Sequence, residues 1–361
     1  MKRLPIDIRA LSVQELGETG KADPKMIEAF CTNPFSKSGA SIAKIAGYIN
    51  GEEAGYEFVF PLRLRVPGGE CDVLAGSSLF VNQAFRRSGL GMDLPELRWQ
   101  KSPSKIALGA SLSQMALPVH QLLDYNVFLL PRNIMLWRSR SLVEMKLKGT
   151  VAKIVSFVVD CCIWGYSLLL KSLAMLALGG VNVEEVGIFN ELILGDVARL
   201  IASDDAPYAE IHDVRWLKWH MTESFSENGP LRLSVARKKG EIVGFYMTKT
   251  RFHEQASHRG FKNVWLGSVV EWQMHKGYEK KLGWLLIHAA LELKKYGMDA
   301  VEIPSADKSL NRFLRRIGWR HVGDSNFVIK AGEGSPLSGS EEMAKTENWR
   351  LRPAMGDAGL S

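Results

Sequence analysis

The stretch SSLFVNQAFRRSGLG, from Ser77 to Gly91, carries the reading of the fold. Leu79, Phe80 and Val81 form a short apolar strand, a turn follows, and glycines punctuate the entry into a helix. At the centre, Arg86-Arg87-Ser88-Gly89-Leu90-Gly91 is an R-x-x-G-x-G sequence. Glycine lets backbone come close to a ligand. The first N–H groups of a helix lack intrahelical partners and sit at the positive end of its dipole. Gly89 and Gly91 would admit a diphosphate, and Arg86 or Arg87 would add charge. Ordinary strand-to-helix turns show the same glycine pattern, so the surroundings decide.

Upstream, Ile6 to Leu16 reads as a strand and the start of a helix, and Asn33-Pro34 breaks the chain. Asn50-Gly51 is a hairpin signal. It is followed by the strand-rich run Tyr56 to Val66, a turn at Pro67-Gly68-Gly69, and a strand from Cys71 to Val81. Downstream lie a helix from Gly91 to Trp99 interrupted by Pro95, a strand from Lys105 to Leu112, and a helix from Ser113 to Leu123. Hairpin, central strand, glycine turn, helix, strand and helix describe an α+β domain.

V-N-Q-A-F-R-R-S-G-L-G resembles, position by position, the acetyl-CoA pyrophosphate loop of the GNAT superfamily of N-acetyltransferases. That loop has a Val, a Pro two residues on, an aromatic, then Arg-Gly-x-Gly-x-Gly. Gln83 stands here for the Pro and Arg87 for the first Gly. A second stretch, Ser113 to Tyr125, is similar to the family's N-x-x-A-x-x-L-Y-x-x-L-G-F helix. Ala116, Val119, Leu123 and Tyr125 match in character, while Ser113 replaces the Asn, His120 the Tyr and Asp124 the Gly. Pro118 would kink or shorten that helix. The resemblance implies acetyl-CoA as co-substrate, with its diphosphate at Arg86, Arg87, Ser88, Gly89, Leu90, Gly91 and Met92 and with Ser113 at the head of the motif helix. It also implies that the central strand splays at Leu79-Phe80-Val81, where a backbone N–H polarises the thioester carbonyl.

The second half repeats this order. Leu231 to Ala236, Lys239-Gly240 and Glu241 to Met247 form a hairpin. Val264 to Gln273 is a strand, Leu282 to Tyr296 a helix, Ala300 to Ile303 a strand, and Leu310 to Arg316 a helix ending at Gly318. Asp307 to Trp319 resembles the same motif helix, and an internal duplication follows. The loop from Tyr278 to Gly283 keeps one glycine and carries Lys280 and Lys281, which argues against the usual CoA binding there. Between the halves, Ile154 to Leu170 holds one charge, Asp160. Residues Lys153, Ser156, Asp160, Trp164, Ser167 and Lys171 make a more polar stripe on an otherwise apolar helix. The expected organisation is α+β throughout, each sheet mixed, mostly antiparallel and flanked by helices. An N-terminal GNAT-like domain (1–135) is followed by an apolar helical linker (136–185), a C-terminal GNAT-like domain (186–331) and a mobile polar tail (332–361). Trp349, Leu351 and Pro353 are the tail residues able to dock.

The 361 residues suffice for two domains. A formal charge of +7 favours anionic ligands such as CoA and permits RNA or an acidic membrane. Cys31, Cys71, Cys161 and Cys162 have no metal spacing, so reduced thiols, no metal and a cytoplasmic protein are expected. The basic N-terminus lacks the sustained apolar run of a signal peptide. The run 151–178 reads as a helix packed between domains, with contact to a membrane surface as the alternative.

For the chemistry, His120 occupies the slot of the family's Tyr acid, and Tyr125 is a nearby alternative that fits an aromatic core position. Glu70 and Asp72 read as hairpin-end carboxylates. In the second half Leu314 occupies the Tyr slot and offers no proton, whereas Glu271 lies on the central strand as a base or amine-binding carboxylate. The expectation is an acyl-CoA-dependent N-acyltransferase acting on a primary amine of a small metabolite or amino sugar. Two alternatives stay open: an aminoacyl-tRNA-dependent peptidyltransferase, which would bind RNA, and a non-catalytic CoA-binding scaffold.

Overall fold

The structure, a computed structural model, describes residues 5–18, 24–36, 41–113, 115–140, 143, 147–187, 190–222, 231–254 and 263–354. The chain forms two compact units that are not consecutive in sequence: Met1–Leu130 with Asp204–Trp219 and Ser325–Ser361, and Pro131–Ser203 with His220–Asp324.

In the first unit, β1 (Ile6–Ser12), β2 (Ile42–Ile49), β3 (Glu52–Val66), β4 (Gly69–Val81), β5 (Ile106–Ala110) and the end of β13 (Arg320–Ala331) lie side by side in that order. All neighbours are antiparallel except β4 and β5. The β2–β3 hairpin closes on Asn50 and Gly51, both at positive φ (54° and 82°), which the tight turn joining two twisted strands requires. Helices α1 (Val13–Glu18) and α2 (Pro24–Thr32) follow β1; α3 (Leu90–Lys101) joins β4 to β5; α4 (Ala116–Leu122) follows β5. Leu90, Leu94 and Leu97 of α3 pack on Ile45, Ile49, Val59 and Leu74 of the sheet. Pro118 falls in the first turn of α4, where its missing N–H would lack a helical partner anyway, so it shortens the helix and does not kink it.

The second unit holds the end of β6 (Asn126–Leu136), α5 (Gly149–Leu178), β7 (Asn182–Val186), α6 (Glu191–Ala202), β9 (Arg232–Lys238), β10 (Glu241–His253), β11 (Val264–Met274), α8 (Leu282–Lys295), β12 (Ala300–Pro304) and α9 (Lys308–Arg316). Its strand order is β6-β12-β11-β10-β9-β7, parallel only between β11 and β12. Lys239 and Gly240 close the β9–β10 hairpin at φ 52° and 88°. The series β2-β3-β4-α3-β5-α4 thus recurs as β9-β10-β11-α8-β12-α9, as the duplication predicts.

Three features differ from the linear division into domains at 135, 185 and 331. First, α5 is no linker: Leu170, Ala174 and Leu178 belong to the core of the second unit with Trp272, Leu285 and Ala289. Second, residues 204–219 return to the first unit, where β8 (Ala209–Glu210) pairs with Leu64 and Arg65. Helix α7 (Val214–Thr222) follows and sends Trp219 Nε1 to Ala29 O at 3.2 Å. Third, the described part of the tail is packed. Leu337, Met343, Trp349, Leu351 and Ala354 are buried, and Trp349 stacks on Tyr208 at 4.9 Å. A handful of large apolar side chains outweighs the Gly- and Ser-rich composition around them. Residues 355–361 lie outside the described ones.

Candidate active site

Strand β4 opens away from β5. Its parallel ladder with β5 runs only from Leu74 to Gly76, while its antiparallel ladder with β3 continues to Val81. The register with β3 shifts between Tyr56 and Phe58, and Ser78 takes φ 52°, the signature of a bulge that turns the strand. Leu79 and Val81 are anchored in the core, and Phe80 lies on the other face, half exposed against Tyr56 at 5.5 Å. Leu79-Phe80-Val81 therefore offers a free backbone edge beside the opening.

At the end of β4 the chain makes the turn that the glycine pattern predicts. Asn82 Oδ1 accepts from Ala84 N at 3.1 Å, Ser88 N donates to Phe85 O, and Ser88 Oγ accepts from Leu90 N at 3.2 Å. Gly89 caps α3 at φ 98°, a conformation that costs most other residues ~1 kcal/mol or more. A Cβ on Gly91 would meet only Val81 Cγ2, at 3.8 Å, so no tight packing demands the glycine there. Arg86 and Arg87 are exposed, and Met92 is partly so. Arg86 Nε also reaches Val81 O at 3.4 Å. The open Gly91, the N-terminus of α3 and two exposed arginines suit a diphosphate, although Leu90 N is bonded to Ser88 Oγ and Met92 N to Gly89 O.

The floor of the opening is a buried polar cluster whose central ion pair the motifs do not mark. Arg98 of α3 and Glu57 of β3 form an ion pair at 2.6 Å with side chains 0% and 2% exposed. A Cβ on Gly76 would overlap both Arg98 Nη1 and Glu57 Oε1. The glycine at the last paired rung of β4 thus makes room for the guanidinium. Arg98 Nη2 donates to Tyr125 Oη at 3.2 Å, and that hydroxyl donates to Pro95 O at 3.2 Å. His120 Nδ1 lies 2.9 Å from Ala116 O, which fixes the proton on Nδ1 and leaves Nε2 to accept from Arg98 Nη2 at 3.4 Å.

Burial, helped by the Arg98 charge, pushes the His120 pKa down to about 4, and burial raises that of Tyr125. At neutral pH His120 is a neutral acceptor and Tyr125 a donor committed to a carbonyl. Neither fits the proton-donor role expected of it; both hold Arg98. Ser113 is exposed and its Oγ caps α4 by accepting from Ala116 N at 3.1 Å. Glu70 and Asp72 pair with Arg63 at 3.6 and 3.3 Å at the hairpin end, away from the loop. The sequence did hold a signal for the missed pair. Arg98 continues the apolar i, i+4 series Leu90–Leu94, and Glu57 sits inside the apolar run Tyr56 to Phe60, so each charge occupies a core position.

The second unit repeats the opening. The β11–β12 ladder stops at Ser268–Glu302, and a register shift follows beside Met247. Its floor also carries a buried pair, Arg132–Glu302, with Ser268 Oγ donating to Glu302 at 2.7 Å. Despite burial, Arg132, Ser268 and Arg251 keep the Glu302 pKa low. Glu271, expected as a base or amine-binding carboxylate, is fully buried at the shift, and its Oε1 accepts from Trp272 N at 2.8 Å. The loop is different. Lys281 Nζ donates to Ala177 O at 2.9 Å and Leu178 O at 2.5 Å, capping α5, and Gly283 makes room for the Phe313 ring. Lys281 and Gly283 both serve packing, and Lys280 is exposed.

A central strand that parts from its parallel neighbour, with a helix N-terminus at its end, defines the class: the chain has the fold of the GNAT superfamily. Solved structures agree with this. N-myristoyltransferase of Saccharomyces cerevisiae with bound myristoyl-CoA superposes with a TM-score of 0.55 at 11% identity, covering 91% of this chain and 80% of that one. A GCN5-related N-acetyltransferase from Anabaena variabilis gives 0.54 at 10% identity, over 90% and 72%. A probable N-acyltransferase from Enterococcus faecalis gives 0.52 at 10%, over 91% and 73%. At such identities the likeness is one of fold. No family model matches the chain and no curated protein matches it.

Proposed function

We propose that the chain is an acyl-CoA-dependent N-acyltransferase whose cofactor is held by the first unit. The observation that carries this reading is the coincidence, at one end of β4, of the free edge at Leu79–Val81 and the open glycine turn at Arg86–Gly91. The similar solved structures include one with bound myristoyl-CoA and N-acetyltransferases, which supports a CoA thioester as donor. When bound, that thioester supplies an activated acyl group. The backbone N–H groups of α3 would hold its diphosphate, with Arg86 or Arg87 adding charge, and an N–H on the β4 edge would stabilise oxygen charge at the acyl carbon.

The acyl group we favour is short, as in acetyl-CoA. The floor is a charged cluster, and burying a long alkyl chain against Arg98 and Glu57 forfeits the ~0.8 kcal/mol per methylene that an apolar tunnel returns. The acceptor we favour is a primary amine of a small metabolite. We place the chain in the cytoplasm on the sequence argument alone, four cysteines without metal spacing and two of them adjacent.

The test is thermal unfolding with acetyl-CoA, beside a Gly89→Glu variant, followed by thiol release with a panel of amines. Ligand at about a hundred times its dissociation constant stabilises the native state by ~2.7 kcal/mol. The wild type should shift and the variant should not. No shift with acetyl-CoA or any longer acyl-CoA would overturn the cofactor assignment, and a larger shift with myristoyl-CoA would overturn the short acyl group.

A further inference from the structure

Helix α5 buries part of its polar stripe and leaves a broad apolar face exposed. Its polar residues Ser156 and Ser167 are buried, and Asp160, partly buried, accepts from Ser139 N at 2.7 Å. The opposite face exposes eleven large apolar side chains between Val151 and Leu176, of which Phe157 (70%), Trp164 (62%), Met175 (67%) and Leu176 (80%) stand furthest out. Soluble proteins rarely leave so continuous an apolar band to water. The helix is long and apolar enough to cross a bilayer, yet its inner face is committed to the protein. Leu170, Ala174 and Leu178 lie in the core, Tyr166 Oη donates to Ile317 O at 2.7 Å, Lys294 bonds Ser167 Oγ, and Lys281 caps the end. A helix fixed along one side presents its length to a surface and cannot thread through it.

We infer that this face of α5 lies in the interface of an anionic lipid bilayer. Charge selects the occupant. Lys153 and Lys171 are exposed where the apolar band borders the polar stripe, and the helix's one acid, Asp160, lies on that stripe, partly buried and bonded to Ser139 N. At a helical rise of 1.5 Å the two lysines stand about 27 Å apart on one edge of the apolar band, five turns from each other. There their stems lie along apolar surface and their ammonium groups meet headgroup phosphates. The inference is independent of the acyltransfer reading.

The experiment is cosedimentation of the full chain with phosphatidylcholine vesicles, with and without phosphatidylglycerol, alongside light scattering without lipid. The wild type should pellet with the anionic vesicles. Phe157→Glu and Leu176→Glu, both at exposed positions, should each weaken binding roughly tenfold or more, as expected when a large apolar side chain is withheld from burial. Lys153→Gln and Lys171→Gln should each weaken it about five-fold. A chain that stays in the supernatant overturns the proposal. So does a stable dimer that the same glutamates dissociate, because a second copy would then cover the face. Equal binding to neutral vesicles overturns the assigned headgroup charge.

Discussion

Gly76→Ala tests the floor of the opening directly. The new methyl overlaps Arg98 Nη1 and Glu57 Oε1, so one of the two must move. An arginine tip on the surface would swing aside at little cost. Here Arg98 is fully buried, ion-paired to Glu57 at 2.6 Å and bonded to Tyr125, with no solvent to receive it. Displacing the guanidinium leaves a buried carboxylate uncompensated, which costs ~3–5 kcal/mol. That is a large part of the ~5–15 kcal/mol that typically separates folded from unfolded states. The assay is urea denaturation with the slope held in common, so that a lower midpoint reads as lost stability. A control separates electrostatics from crowding. In a Glu57→Leu, Arg98→Met background the charges are gone and the side chain is shorter, and the same alanine should cost ~1 kcal/mol or less. A wild-type-like Gly76→Ala, or an equal loss in both backgrounds, would refute the pair as the reason for the glycine.

Acetyl-CoA should raise the unfolding temperature of the wild type and not of Gly89→Glu, in which the left-handed cap is strained and a carboxylate faces the diphosphate. Vesicle binding should follow the outward face of α5, with glutamates at Phe157 and Leu176 abolishing most of it. His120 should make the protein acid-sensitive. An unfolded histidine takes up its proton near pH 6.5 and the buried one only at about 4, so stability is unaffected above 6.5, falls as pH drops between the two values, and levels off below. The full loss is ~3 kcal/mol, and His120→Gln should flatten this part of the stability–pH curve; parallel curves for the two proteins would contradict the neutral tautomer. Lys281→Met removes the cap on the last carbonyls of α5 and should cost ~0.5–2 kcal/mol in thermal or urea unfolding, with no effect on acetyl-CoA binding by the first unit.

Much of the fold was legible because its signals are local. Asn50-Gly51, Lys239-Gly240 and Gly89 each fix a backbone conformation that few other residues adopt, and the strands and helices around them fall within a few residues of the expected limits. The partition of the chain was not legible. Whether residues 204–219 return to the first unit depends on an Arg65 guanidinium bonding to the Asp204 and Ala206 carbonyls at 2.7 and 2.8 Å and on Trp219 finding Ala29. Neither is written in periodicity. The tail misled for a related reason: its composition is that of a mobile segment, and a few anchors such as Trp349 and Leu351 decide otherwise. At the site, the turn into α3 was readable from its glycines, whereas the protonation of His120 was not. A histidine in a motif slot looks the same in sequence whether it faces a thiol or an arginine forty-one positions from its glutamate partner.

The two openings share their construction, so their differences carry the functional argument. Each has a central strand that leaves its parallel neighbour after three paired residues, and each has a buried arginine–glutamate pair beneath. A buried pair is a poor source of stability, since desolvation consumes most of its attraction; what it does provide is a fixed polar floor at a place where the sheet has opened. The units diverge at the loop. In the first, Gly91 faces no tight packing and the arginines reach solvent. In the second, Lys281, at the place of Gly89, is bound to the C-terminal carbonyls of α5, Lys280 is exposed, and the space beside Gly283 is filled by Phe313. An anion drawing on Lys281 would have to detach it from the very helix whose outward face we assign to the bilayer. This difference supports our proposal that the first unit holds the cofactor, with Lys281 of the second loop bonded to the end of α5. A Gly89→Glu variant that still shifts with acetyl-CoA, and loses that shift only when Lys281 is also replaced, would reverse the assignment.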